Sequence, residues 1–172
     1  MRQIIYFSFT MFLLLFFSSC MNKDKLANDL QEKKEVAVDT VLNNWSKKSP
    51  NSMNWSDAKK YCENLNEDGH SDWRLPTISE LRTLIKNCPA TETDGACMVT
   101  NDCLHDGNCR TSACNGCSGG SDGRYSKFGD TKWLWSSSEP SDITDRAWVV
   151  IFKLGLVNYG NKSGTINVRC VR

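Results

Sequence analysis

The residues best equipped for chemistry in this 172-residue chain are its nine cysteines. Cys88, Cys97, Cys103, Cys109, Cys114 and Cys117 crowd one stretch; Cys62 precedes it, Cys170 follows it, and Cys20 lies far upstream. Two chemistries compete for them. Cys109-x4-Cys114-x2-Cys117 has the spacing of a plant-type iron–sulfur site, and Cys114-x2-Cys117 alone would suit zinc. Oxidation is the alternative. Setting Cys20 aside leaves an even number, which in an exported chain reads as up to four disulfides and leaves no thiolate for a metal. Disulfides are therefore the expected chemistry, with no metal.

Export itself is read from the N-terminus. Arg2 is followed by an apolar run from Ile4 to Phe17, too short for a comfortable membrane span and suited to a signal peptide over residues 1–19. The run ends in Phe17-Ser18-Ser19-Cys20, which is similar to the lipobox of bacterial lipoproteins, so Cys20 is the expected lipidation site and the membrane is met through its lipid. Residues 20–41 are rich in Lys, Asp, Glu and Asn without an aromatic residue, which predicts a solvated tether or weak helix. Met21 after the cysteine is not the Asp associated with inner-membrane retention, so the expected location is the outer membrane, on its surface or periplasmic face. Without Arg2 the chain carries 20 basic and 20 acidic side chains, against 21 and 20 for the whole sequence, which gives no electrostatic claim on nucleic acid.

Other reactive groups are sparse. His70 and His105 are the only histidines, and neither a Gly-x-Ser-x-Gly nor a His-Glu-x-x-His motif occurs, so no catalytic residue and no enzyme are expected. Glu92, Asp94, Asp102, Asp106, Asp122 and Asp130 are hard oxygen donors that make calcium conceivable. No Asp-x-Asp-x-Asp-Gly loop accompanies them, however, and Ser141 stands where the Glu-Pro-Asn of sugar-binding lectins would place its amide. From Cys88 to Lys132 four basic residues (Arg110, Arg124, Lys127, Lys132) face those six acidic ones, a poor site for a polyanion. Neutral sugar or protein is the expected ligand, with Tyr125, Phe128 and Tyr159 as stacking surfaces.

The elements that must position these groups lie on either side of the cysteine-rich stretch. Val41–Ser46 reads as a first strand. A helix capped by Asn54 or Ser56 runs to Leu65 with Trp55, Ala58, Cys62 and Leu65 on one face. In Asp72-Trp73-Arg74-Leu75-Pro76-Thr77, the proline fixes the backbone and Thr77 begins a second helix whose capping box closes at Glu80. Ile78, Leu81, Leu84 and Ile85 form its apolar stripe, and Asn87 before Cys88-Pro89 should end it. Arg146–Phe152 is apolar on both alternating faces, as a central strand should be, and Gly155 permits a hairpin to Leu156–Tyr159. In a last strand over 166–172, Ile166, Val168 and Cys170 share one face. Cys62 and Cys170 thus both point inward and are expected to pair, leaving the other three pairings open.

Trp55-x2-Ala58-x3-Cys62-x2-Leu65, Asp72-Trp73-Arg74-Leu75-Pro76-Thr77-x2-Glu80-Leu81, Trp135-Ser136-Ser137-Ser138-Glu139, Ala147-Trp148-x-Val150-x-Phe152-x2-Gly155 and Val168-Arg169-Cys170-Val171-Arg172 together resemble the Lcl C-terminal domain family. The resemblance spans roughly Trp45 to Arg172. It implies an α+β, C-type-lectin-like fold related to formylglycine-generating enzymes: two helices flank small antiparallel sheets, a disulfide-rich long loop projects, and a cystine ties the first helix to the last strand. The enzymes of that fold use a cysteine pair to which none of the loop cysteines here can be matched. The expected layout is a domain over residues 42–172 with a cysteine-rich insert at 88–131. The expected function is a non-enzymatic binding or adhesion module for glycan or surface protein, presented through the stapled loop. The alternatives are a structural envelope protein without soluble ligand and an oxidoreductase of the formylglycine-generating type.

Overall fold

In a computed structural model of the chain, residues 23–33, 42–120 and 122–172 are described. The expected signal peptide, Cys20 and half of the expected tether lie outside them. Residues 23–33 form an exposed helix, α1, with Leu26 and Leu30 open to solvent. The chain divides into two compact units, Met1–Asn44 and Trp45–Arg172.

The second unit is α+β. Helix α2, Trp55–Glu63, starts where the Asn54 side chain accepts the Asp57 amide, and it buries Trp55, Ala58 and Cys62. Helix α3, Ile78–Arg82, opens with the Thr77–Glu80 capping box. It is shorter than its apolar stripe: Thr83, Leu84 and Ile85 donate to carbonyls only three residues back, the tighter 3-10 pattern, while Leu84 and Ile85 remain buried. Asn87 takes the left-handed conformation expected of the stop, at φ 58°. Within the insert, α4 is Asp106–Cys109, and a 3-10 turn follows at Ser112–Asn115.

Three antiparallel strands form the sheet in the order β1 (Trp133–Trp135), β2 (Arg146–Ile151), β3 (Leu156–Asn161). Trp135 lies opposite Val149, and Trp148 opposite Tyr159. Alternation along β2 sends Ala147, Val149 and Ile151 into a core shared with Trp55, Cys62, Trp135, Val168 and Cys170. Trp148 and Val150, on the opposite face, are also fully buried, so the strand is enclosed from both sides. Gly155 makes the reversal into β3 at φ 59°. Gly160 lets β3 pass under the core, since a Cβ there would stand 3.1 Å from both Ile166 and the Trp135 ring.

Two expected strands are not regular ladders. The first is reduced to a single bridge from Trp45 to Val171. The last keeps its alternation, with Ile166, Val168 and Cys170 buried, but its partners come from separate places: Met53, Leu134, Arg74 and Trp45. A segment shared by four neighbours completes a ladder with none. Beside it Asp130, almost wholly buried, accepts from the Arg169 guanidinium at 2.7 and 3.1 Å and lies 3.2 Å from Lys48 Nζ.

Candidate functional site

All eight cysteines of the described residues are oxidised, which leaves no thiolate for zinc or an iron–sulfur cluster. Cys62 is bonded to Cys170, as their inward-facing positions require. The remaining pairs are Cys88–Cys117, Cys97–Cys114 and Cys103–Cys109. The four bridges are concentric, each enclosed by the next. Four cystines suit an oxidising setting outside the cytoplasm. Among the described residues no helix is long and apolar enough to cross a membrane.

The insert is fastened to the rest of the unit at three points. Cys117 donates its amide to the Leu154 carbonyl, and Gly155 lies against Cys88, so the outer staple of the insert sits on the β2–β3 turn. Lys86 and Lys127 donate to the Tyr125 and Leu84 carbonyls, closing the return path. The third fastening is ionic in character. Arg82 is fully buried, and its guanidinium donates to three backbone carbonyls of the insert: Thr91 at 3.1 Å, Glu92 at 2.6 Å and Val99 at 2.5 Å. Among the described residues no carboxylate pairs with it, and burial pushes its pKa down from the usual arginine value.

Tyr125, Phe128 and Tyr159 do not form one surface. Tyr125 is only 5% exposed; its hydroxyl donates to the Ser118 carbonyl and its ring packs on Gly120, so it supports the insert and offers no stacking face. Phe128 is half-buried with the Arg169 guanidinium carbon 4.3 Å from its ring centre. Tyr159 differs. It is half-buried, rests edge-on against Trp148 with ring centres 5.6 Å apart, and has the Arg146 and Arg110 guanidinium carbons at 4.9 and 5.7 Å. Its hydroxyl is 3.4 Å from Asp106 Oδ2.

The six acidic side chains considered for calcium are scattered. Asp130 is held by Arg169 and Lys48, Asp122 by Arg124, and Glu92 accepts the Cys88 amide. Among the described residues no three His, Cys, Asp or Glu side chains converge as a metal would need. His105 lies 3.5 Å from Asp142, while His70 closes a turn through its backbone with Glu67. Asn101, Asp102, Cys103, Leu104, His105, Asn108 and Ser141 line a shallow depression of about 370 Å³ over the innermost disulfide.

A match of the Lcl C-terminal domain to residues 38–172 decides the relationship. The chain belongs to the Lcl C-terminal domain family. No curated protein matches it by sequence. The Lcl domain accounts for the whole second unit, including the cysteine-rich insert. Arg110, Arg146 and Trp148 of this Lcl domain are not legible as a group in the sequence, because they come from the residue that follows α4 and from a strand read purely as core. The one signal was Arg146, a cation opening an otherwise apolar strand.

Proposed function

We propose that the chain is a lipoprotein of the outer membrane, anchored through a lipid on Cys20, whose C-type-lectin-like domain binds glycan or a surface protein without catalysing a reaction. The observation that carries the reading is the insert: a segment poor in apolar residues is held in one arrangement by three nested cystines and by a buried arginine. Cross-links of that density offset the ordering entropy that so small a core cannot supply, and they present a pre-organised surface, which lowers the cost of binding. The finer fold assignment rests on the family and on the tie from α2 to the closing segment.

Binding to a glycan array and to detergent-solubilised envelope proteins, measured with and without calcium, tests this reading. The expected result is a specific ligand that is lost when residues 89–116 are replaced by a short Gly-Ser link. Undiminished binding by the shortened protein would remove the site from the insert, and no ligand at all would leave a structural envelope protein.

A further inference from the structure

The Cys103–Cys109 cystine differs from the other three in access, in loop size and in position. Both of its cysteines line the open depression, beside His105, Asn108 and Ser141, and Cys103 is half-buried. The other bridges are closed off: Cys62, Cys88, Cys97, Cys114 and Cys170 are at most 2% exposed. Cys117 is also half-buried, but it is backed by the β2–β3 turn, through its amide bond to Leu154 and through its partner Cys88, which lies against Gly155. Thiol–disulfide exchange requires a thiolate to reach a sulfur from outside, so access ranks the four bridges and places this one first.

Opening this bridge also disturbs the domain least. Its cysteines are 6 residues apart in sequence, against 17, 29 and 108 for the others, and the stability a cystine gives a fold grows with the loop it closes. As the innermost of the nested set, it leaves three bridges still enclosing the segment when it opens. Backbone bonds hold the segment as well. Thr100 and Cys103 exchange a pair, Cys109 donates to the His105 carbonyl, Ser141 donates to the Leu104 carbonyl, and the Asp106 amide donates to the Asp142 carboxylate. Two thiols formed there stay neighbours and are able to close again.

We propose that Cys103–Cys109 is a redox-active cystine, reversibly reduced by a dithiol that enters the depression, while the other three bridges are structural. One thiolate of the reductant bonds to the Cys103 sulfur, the Cys103–Cys109 bond breaks, and its electron pair goes to Cys109, which takes up a proton. The second sulfur of the reductant then bonds to the first, and Cys103 leaves as a thiolate and is protonated in turn. Two electrons and two protons pass to the protein, and the reductant ends as a disulfide. Reduction frees one wall of the depression, so the insert presents a different surface in each state. The inference is independent of what the domain binds. Full chain purified in detergent is exposed to dithiothreitol, quenched at intervals with N-ethylmaleimide and mapped by mass spectrometry. Cys103 and Cys109 should be labelled about tenfold or more faster than any other pair. In that singly reduced protein the Cys109 and Arg110 amides should exchange faster with deuterium, and oxidised glutathione should restore the same bridge. Ser141→Trp fills the depression from outside the insert and keeps the backbone bond to Leu104, so it should slow the opening about tenfold. Lys60→Trp, at an exposed position of α2, should leave the rate unchanged. Another pair labelled as fast, all four bridges opening together, mispaired cysteines after reoxidation, or opening of Ser141→Trp at the unmodified rate overturns the proposal. The labelling order is read on the unmodified protein, so it decides the matter even where a variant does not fold.

Discussion

Arg82→Met removes the cation on which the insert is hung while keeping the stem that packs in the core. Three carbonyls, of Thr91, Glu92 and Val99, lose a charged donor. Hydrogen bonds to charged groups contribute roughly 1.5–3 kcal/mol each, and a carbonyl left buried without a partner adds to the loss. Against this stands the cost of holding a guanidinium out of water with no carboxylate beside it, several kcal/mol that the methionine does not incur. The bonds outweigh the burial, and the net destabilisation is on the order of 3 kcal/mol. For a domain of this size that lowers Tm by about 10 °C. Urea unfolding followed by tryptophan fluorescence, with the cystines intact, measures it, and hydrogen exchange should show the Gly95 and Cys97 amides opening first. Arg82→Lys should recover less than half, since one ammonium cannot span three carbonyls as a planar guanidinium does. If Arg82→Met unfolds within 0.5 kcal/mol of the unmodified protein at an unchanged m-value, roughly the scatter of surface substitutions, the role given to Arg82 is wrong.

Glu80 is bonded to Arg74 and to the Thr77 amide and hydroxyl, which hold its pKa down at about 2. Because the folded value lies below the ordinary 4.5, its stabilisation is complete above that pH and disappears as pH falls toward 2. Glu80→Gln should therefore cost about 1–2 kcal/mol at pH 7, after allowance for solvent screening, and flatten acid unfolding between those values. Replacing Cys62 and Cys170 by alanine should cost on the order of 4 kcal/mol, seen in urea unfolding, and leave the three bridges of the insert intact by peptide mapping. Chelation with EDTA should change neither Tm nor ligand binding, since four of the six acidic groups weighed for calcium already have protein partners.

What was legible in the sequence was what neighbours in the chain decide. Thr77 and Glu80 lie three apart and cap a helix wherever that helix ends up. Cys62 and Cys170 could be paired because each sits on an apolar stripe with a period. The insert has no period, so nothing local ranks one pairing of its six cysteines above another. The closing segment was read as a strand from its alternation, yet its bonds go to residues far away in the chain, and alternation reports burial and not partnership. Tyr125 and Tyr159 illustrate the same limit at the candidate site. Nothing adjacent to either reveals that one lies beneath the insert and the other beside two arginines from different elements.

The enclosed order of the bridges bears on how the chain matures. Oxidised as they emerge from the N-terminal end, the cysteines would join in succession, Cys62 to Cys88, Cys97 to Cys103, Cys109 to Cys114 and Cys117 to Cys170, and every one of those links would be wrong. The thiol that appears first has to wait for the one that appears last. Maturation therefore calls for delayed oxidation or for thiol–disulfide exchange by a reshuffling catalyst, and the yield of native protein should depend on that catalyst more than on the strength of the oxidant.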